Sequence, residues 1–394
     1  HISSMPNPVY RAVRNCFLQA DMDPINRGLA DWNPLRQFIP RGSRVFVLCN
    51  FANERRPDET LEDYRSRCTH GSVIRAVVDY ILLAVGKEGR VQIGNAPTQF
   101  CHWNRVLDDT GAIHALNFYK SNGSPVEARD LRLVVTDASH LGAVRGVERR
   151  DDCQGVHINL GADSLLHELD SRGTQHYRVM NYDPRRTESF HSNGRHVYVV
   201  NRCILESDVI FSIPKFKTHE KVGISCALKG YVGTVAHKDS LPHHRYGDPA
   251  LGGDEYPNDR LGVRRALTTF HEWVQKSRPE SPGGSALRVA FRVFKRAARP
   301  ISPVIEGAWW GNDTAWRMVL DLNRIATYAS TDGVMQNRPC RSHLALIDGI
   351  CGGEGEGPAY STAVQAGVLL FGDDLPAVDR LNACLMGFDP QKIP

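Results

Sequence analysis

A strand-like apolar run through Val45, Phe46, Val47 and Leu48, a helical stretch at 72–85 with Ser72 placed as its N-cap, and a second strand-like run at 90–95 follow one another in immediate succession. That succession is βαβ grammar, and it constrains the fold more than any other feature. The strand-like runs are apolar almost without alternation, as expected of strands buried on both faces of a parallel sheet. Further β-rich runs at 131–136 and 195–201 extend the pattern. From about residue 260 the grammar changes to a helix at 262–275, a Pro/Gly/Ser linker at 277–285, a basic amphipathic run at 287–299 and a Trp-bearing helix. Strand grammar returns at 343–348 and 366–371. The expected fold is α/β, a mainly parallel, helix-covered sheet with a helical insertion near residues 260–325. The corresponding organisation is a tag remnant at 1–4, an α/β core at 5–259, the insertion at 260–325, and the C-terminal part of the core at 326–394.

A chain of 394 residues with 41% hydrophobic side chains can bury a substantial core. Its formal charge of +4 is small for that length and argues against wholesale nucleic-acid binding. No run of about 18 apolar residues is evident, so no transmembrane segment is expected. The ten cysteines are scattered without a Cys-x-x-Cys pair. That disfavours a ferredoxin-type cluster or a Cys-rich zinc site, and suits reduced thiols in a cytoplasmic protein.

In parallel sheets ligands gather at the carboxyl ends of the strands. Three strand-like runs end in polar punctuation, at Asn50, at Asn95 to Gln99, and at Pro214 to Lys217. These ends are expected to converge. The last of them opens the stretch richest in reactive side chains, with the amines of Lys215, Lys217, Lys221 and Lys229 and the imidazoles of His219, His237, His243 and His244. Amines beside Gly223, Gly230 and Gly233 suit a phosphate or carboxylate, although lysines also simply solvate loops. The imidazoles, with Asp239, Asp248, Asp254 and Glu255 nearby, offer nitrogen and oxygen ligands for a transition metal; they match no zinc-finger or zincin spacing, and exposure in a loop is the competing reading. An imidazole here can equally serve as a general acid or base.

Other features carry structural readings beside functional ones. His70 is either a ligand or base ahead of the first helix or a plain loop residue. The run from Asp348 to Pro358 is glycine-rich but lacks the dinucleotide fingerprint, since Glu354 and Glu356 put negative charge where phosphate would sit. Its carboxylates are read as metal- or hydroxyl-facing, or as an acidic turn. Asp379 is expected to cap. Arg317, four residues from both Asp313 and Asp321, fits a salt-bridge ladder or a pocket walled by Trp309, Trp310 and Trp316. The basic run at 287–299 packs on the domain or meets an anionic membrane.

The ordered motifs Pro214-Lys215-Phe216-Lys217-Thr218-His219, Ala227-Leu228-Lys229-Gly230, Asp348-Gly349 with Gly355-Glu356-Gly357-Pro358, Ala377-Val378-Asp379 and Met386-Gly387-Phe388-Asp389 resemble the domain-of-unknown-function 362 family from about Val45 onward. Some members carry an appended ferredoxin-like domain; this chain lacks its cysteines, so the iron–sulfur role inferred for them does not carry over. Gly311 to Thr314 and Asp321 to Arg324 are similar to members found in biosynthetic settings for surface polysaccharides or small natural products.

Together these readings give an expected function: a metal-dependent biosynthetic enzyme acting on a small anionic substrate, phosphorylated or carboxylated. Lys217, Lys229 and His219 are the expected catalytic groups, and Asn50, Lys215, Asn95, Gln99 and Arg317 the substrate-binding ones. A divalent metal, iron favoured over zinc or manganese, is expected on His237, His243, His244, Asp248 and Glu356, with non-haem iron chemistry within reach. No nucleic-acid partner is expected, and a homo-oligomer is compatible with the sequence. The alternatives are a non-catalytic module holding a metal, cluster or nucleotide, and a membrane-surface scaffold acting through the basic helix.

Overall fold

The computed structural model describes residues 7–136, 147–148, 155–172, 176–179, 182–259, 262–277, 281–298, 306–358 and 360–393. The tag-like residues 1–4 and Cys153 lie outside them. A nine-stranded sheet is built from β1 (Arg44–Cys49), β2 (Arg90–Asn95), β3 (Val126–Asp130), β4 (Val209–Ile213), β5 (Lys215–His219), β6 (Gly223–Ser225), β7 (Ser342–Glu356), β8 (Tyr360–Val364) and β9 (Val368–Gly372). The order is β6-β5-β7-β4-β1-β2-β3, and β8 and β9 both pair with β7. Strands β5, β7, β4, β1, β2 and β3 run parallel to their neighbours, whereas β6, β8 and β9 are antiparallel additions.

Both faces of the sheet are covered, which explains the unbroken apolar runs. Val45, Val47 and Cys49 of β1 join one core with Val209, Phe211 and Ile213 of β4, while Phe46, Leu48 and Ile210 enter the core on the other face. The helix Gly71–Val85 connects β1 to β2 and buries Val73, Ile74, Val77, Val78 and Ile81. Its cap is His70 rather than Ser72: the Ser72 N–H donates to His70 Nδ1 at 3.2 Å. By length and composition the stretch Leu61–Val85 is apolar enough to cross a membrane. It is divided into helices Leu61–Arg67 and Gly71–Val85, and the second forms part of the core.

From β1 the chain moves outward through β2 and β3, then returns to place β4 on the opposite side of β1. Such a reversal opens a crevice at the carboxyl ends of the two central strands. Thr69 ties those ends together, donating from Oγ1 to the Ile213 carbonyl (2.6 Å) and accepting the Asn50 N–H (2.8 Å).

Three expectations are corrected. Arg195–Asn201 is not in the main sheet; it pairs antiparallel with Gly155–Asn159 and with His191–Ser192 in a separate small sheet. At 131–136 only Val134–Val135 is a strand, paired with Val147–Glu148. The helical insertion is narrower than 260–325. Helices Val263–Lys276 and Pro282–Ala298 close on their own cluster of Leu267, Val274, Phe291 and Ala298. The helix Ala315–Tyr328 instead puts Met318, Leu322 and Ile325 into the main core.

Candidate active site

A cavity of about 200 Å3 occupies the crevice. It is lined from the β1 end by Asn50 and Phe51, from the β2 end by Asn95 and Thr98, and from β5 by Lys217 and His219. Lys229, Lys238 and His243 complete it from the following loops, and Lys221 and Glu220 lie beside them. The volume is below the several hundred Å3 usual for drug-sized ligands, so it suits a small metabolite.

Local structure explains how the amines arrive. Lys217 is completely buried on β5, and its Nζ donates to the Arg67 carbonyl (2.8 Å) and to Asn50 Oδ1 (3.1 Å). Lys229 rides on the short helix Ala227–Gly230. Asp379, on the helix Leu375–Leu385, caps that helix across space by accepting the Ala227 N–H (2.6 Å) and the Leu228 N–H (2.8 Å). The Gly233 carbonyl accepts the Ala96 N–H (2.7 Å), and a Cβ at Gly233 would stand 3.1 Å from Asn95 Cβ. Glycine therefore lets the lysine loop sit directly on the end of β2.

The electrostatics are those of an anion site. Four lysines line the cavity and Glu220 is its one carboxylate. Burial first, then neighbouring cations, pulls Lys217 down to about 7, Lys238 to about 7 and Lys229 to about 8, and burial also lowers Lys221. Lys221 donates to the Glu306 carbonyl, and Lys238 to the Val232 carbonyl at 3.4 Å. Among the described residues no hydrogen bond or ion pair holds the Lys229 amine.

The two imidazoles are set in opposite tautomers by the backbone. His219 Nδ1 accepts the Lys221 N–H at 3.1 Å, and burial beside cations holds its pKa well below the usual range. The neutral ring therefore carries its proton on Nε2. His243 Nδ1 lies 2.7 Å from the Leu241 carbonyl, which can only accept. Burial lowers its pKa to about 3, so this neutral ring keeps a lone pair on Nε2. One cavity thus holds one imidazole that donates a hydrogen bond through Nε2 and one that accepts through Nε2, beside amines pulled down to about 7 and 8.

Of the residues singled out in the sequence, Asn50, Asn95, Lys217, His219, Lys229 and His243 meet here. Lys221, Gly230 and Gly233 line it as well, whereas the remaining expected substrate and metal residues do not. Lys215 is paired with Asp348 at 3.0 Å, both nearly out of water. Gln99 is buried, its backbone N–H donating to the Tyr182 hydroxyl at 3.4 Å. Arg317 is spent on Glu168 (2.7 Å), Asp313 (3.1 Å) and the Leu165 carbonyl (2.9 Å). His237 packs on Phe190, and His244 is buried next to Gly307. Asp248 caps a turn through the Leu251 N–H, and Glu356 is exposed at the end of β7. No three of His237, His243, His244, Asp248 and Glu356 bring ligand atoms together. Nor does the cavity suit a divalent cation, since amines outnumber its single carboxylate four to one.

Lys238 lines the cavity without having been singled out in the sequence. It stands between His237 and Asp239, and nothing in its spacing distinguishes it from a solvated loop lysine. A second groove of about 220 Å3 lies among Val222, Trp316, Leu320, Arg380 and Ile393 and shares Lys229. Its one carboxylate, Asp379, is committed to capping the helix Ala227–Gly230.

These bonds give Lys217 a structural duty that Lys229 lacks. Lys217→Ala strands the buried Arg67 carbonyl, and a stability loss of about 1–3 kcal/mol is expected in denaturant melts.

A doubly wound α/β protein with a lysine-lined crevice at its switch point is the class that fold and cavity define. Within it, the chain belongs to the family described as Domain of unknown function (DUF362), whose model matches residues 127–383. Among curated proteins no match is found. A crystal structure of a Thermotoga maritima protein, a Northeast Structural Genomics Consortium target, is similar with a TM-score of 0.38 at 11% identity. The alignment covers 90% of this chain and 57% of that one, so the chain spans just over half of its length.

Proposed function

We propose that the protein is an enzyme that binds a small phosphorylated or carboxylated metabolite in the switch-point cavity and moves a proton on it, as an isomerase or lyase does. The observation that carries this reading is the Lys229 amine. Among the described residues no hydrogen bond or ion pair holds it, and it lies in a cavity with three further lysines and one carboxylate. An anion supplies the missing partner, and charge-assisted bonds to it are the strong kind. His243 Nε2 accepts a hydrogen bond from the bound molecule and His219 Nε2–H donates one, both rings staying neutral. Lys217, pulled down to about 7, is the group that takes and returns the proton near neutral pH. The reading involves no step through a metal.

The lowered amine pKa values give it a signed pH dependence. In the unfolded chain these lysines titrate near 10.4. Their burial costs the empty protein nothing above that pH, and the cost grows as pH falls towards 8 and 7, where the folded amines finally protonate. A bound anion raises the amine pKa values and relieves the cost. Binding should therefore take up protons and weaken as pH rises from about 7 to 9. Titration calorimetry of a panel of small phosphorylated and carboxylated metabolites, repeated in buffers of different ionisation enthalpy, measures this directly. Release of protons, or tighter binding at pH 9, contradicts it. Proton-coupled binding without turnover would mark a non-catalytic module.

A further inference from the structure

Away from the cavity, the segment Leu165–Arg172 runs as a 3-10 helix against the strand Arg195–Asn201. Three residues per turn place His167 and Asp170 on the same side of that helix. They meet His196, whose side chain is fully buried. His167 Nδ1 and His196 Nε2 each stand 3.2 Å from the same oxygen, Asp170 Oδ2, and all three atoms lie within 4.8 Å of one another. None of the three lines the cavity.

We propose that His167, Asp170 and His196 form a site for a first-row divalent metal ion of the zinc type. Two imidazole nitrogens and a carboxylate oxygen are borderline donors suited to such an ion. Tetrahedral zinc with bonds of about 2.0–2.1 Å keeps neighbouring donors about 3.3 Å apart, close to the 3.2 Å between Asp170 Oδ2 and each imidazole nitrogen. No hydrogen bond holds His196 Nδ1 among the described residues, so its proton can reside there and leave the Nε2 lone pair for the ion. His167 is nearly half exposed, which gives the ion a path in and leaves a coordination position facing water.

The site would act as a clasp. The start of the 3-10 segment is already fixed, because the Leu165 N–H donates to Asp321 Oδ1 (3.0 Å) and its carbonyl accepts from Arg317 (2.9 Å). The ion would fasten the following turn to the strand beneath it. This clasp is independent of the anion cavity, and failure of either proposal leaves the other standing.

The test uses the full chain, freed of metal by chelator and titrated with zinc chloride and, separately, cobalt chloride. One zinc per chain is expected, with a raised melting temperature and visible cobalt absorption bands of tetrahedral intensity. His167→Ala, a change at a half-exposed position that should fold, is expected to weaken zinc binding by about 100-fold or more and to remove the cobalt bands. His243→Ala, in the cavity, is expected to leave both intact. Wild-type protein that binds no zinc at micromolar concentration overturns the proposal. So does a His167→Ala variant that binds as the wild type, or a stoichiometry lost with His243 instead.

Discussion

Lys215→Met is expected to cost about 3–5 kcal/mol of folding stability, the usual penalty for removing one partner of a buried ion pair. The Lys215 amine lies 3.0 Å from Asp348 Oδ2, and the two side chains are 1% and 2% exposed. They sit opposite each other where β5 meets β7. Without the amine, Asp348 keeps a 3.3 Å bond from the His70 N–H but loses its counter-charge inside the protein. The attraction between the two charges is offset by what both lost on leaving water, so replacing the pair together costs far less than breaking it. Lys215→Met with Asp348→Leu should recover much of the loss. Urea melts of the two single variants and the double variant measure the coupling. A single-variant effect below about 1 kcal/mol would show that the pair is not what holds these strand ends.

Lys229→Ala should do the opposite. The amine has no hydrogen bond or ion pair among the described residues, and removing it relieves its burial and its repulsion from Lys221 against a weaker attraction to Glu220, so the melting temperature should hold or rise slightly. Anion affinity, by contrast, loses a charged hydrogen bond of about 1.5–3 kcal/mol, a factor of roughly 10–150 in Kd. Binding isotherms beside thermal melts separate the two effects. A large stability loss with unchanged affinity would make Lys229 a structural residue and remove the observation on which the function rests.

Much of this arrangement could be read from the chain because it follows from local chemistry. Apolar β1 and β4 specify a sheet covered on both faces, and polar residues just past their ends mark where such a sheet leaves room for a ligand. Asn50, Asn95 and Lys217 met accordingly. Lys215 went elsewhere for a reason that residue spacing conceals. At positions two apart on a strand, Lys215 and Lys217 should share a face. The β5–β7 register, however, shifts between them, pairing Lys215 with Asp348 but Lys217 with Gly353. No local pattern announces such a shift. The pair His243 and His244 erred in the other direction, since consecutive side chains in extended backbone point to opposite sides and only one could face the cavity. That signal was present in the sequence. Arg195–Asn201 shows a further boundary: periodicity identifies a buried strand but not which sheet receives it.

The account's central claim is that the amines gathered on β5 and the loops after it, Lys217, Lys221, Lys229 and Lys238, receive a small anion. Crystals grown with tungstate, a tetrahedral oxyanion located by its anomalous scattering, test it most directly. The account predicts one strong peak in the cavity with an oxyanion atom within hydrogen-bond distance of Lys229 Nζ, and its loss in Lys229→Ala crystals. A cavity without tungstate while the ion occupies sites elsewhere, or a cation in its place, would contradict it.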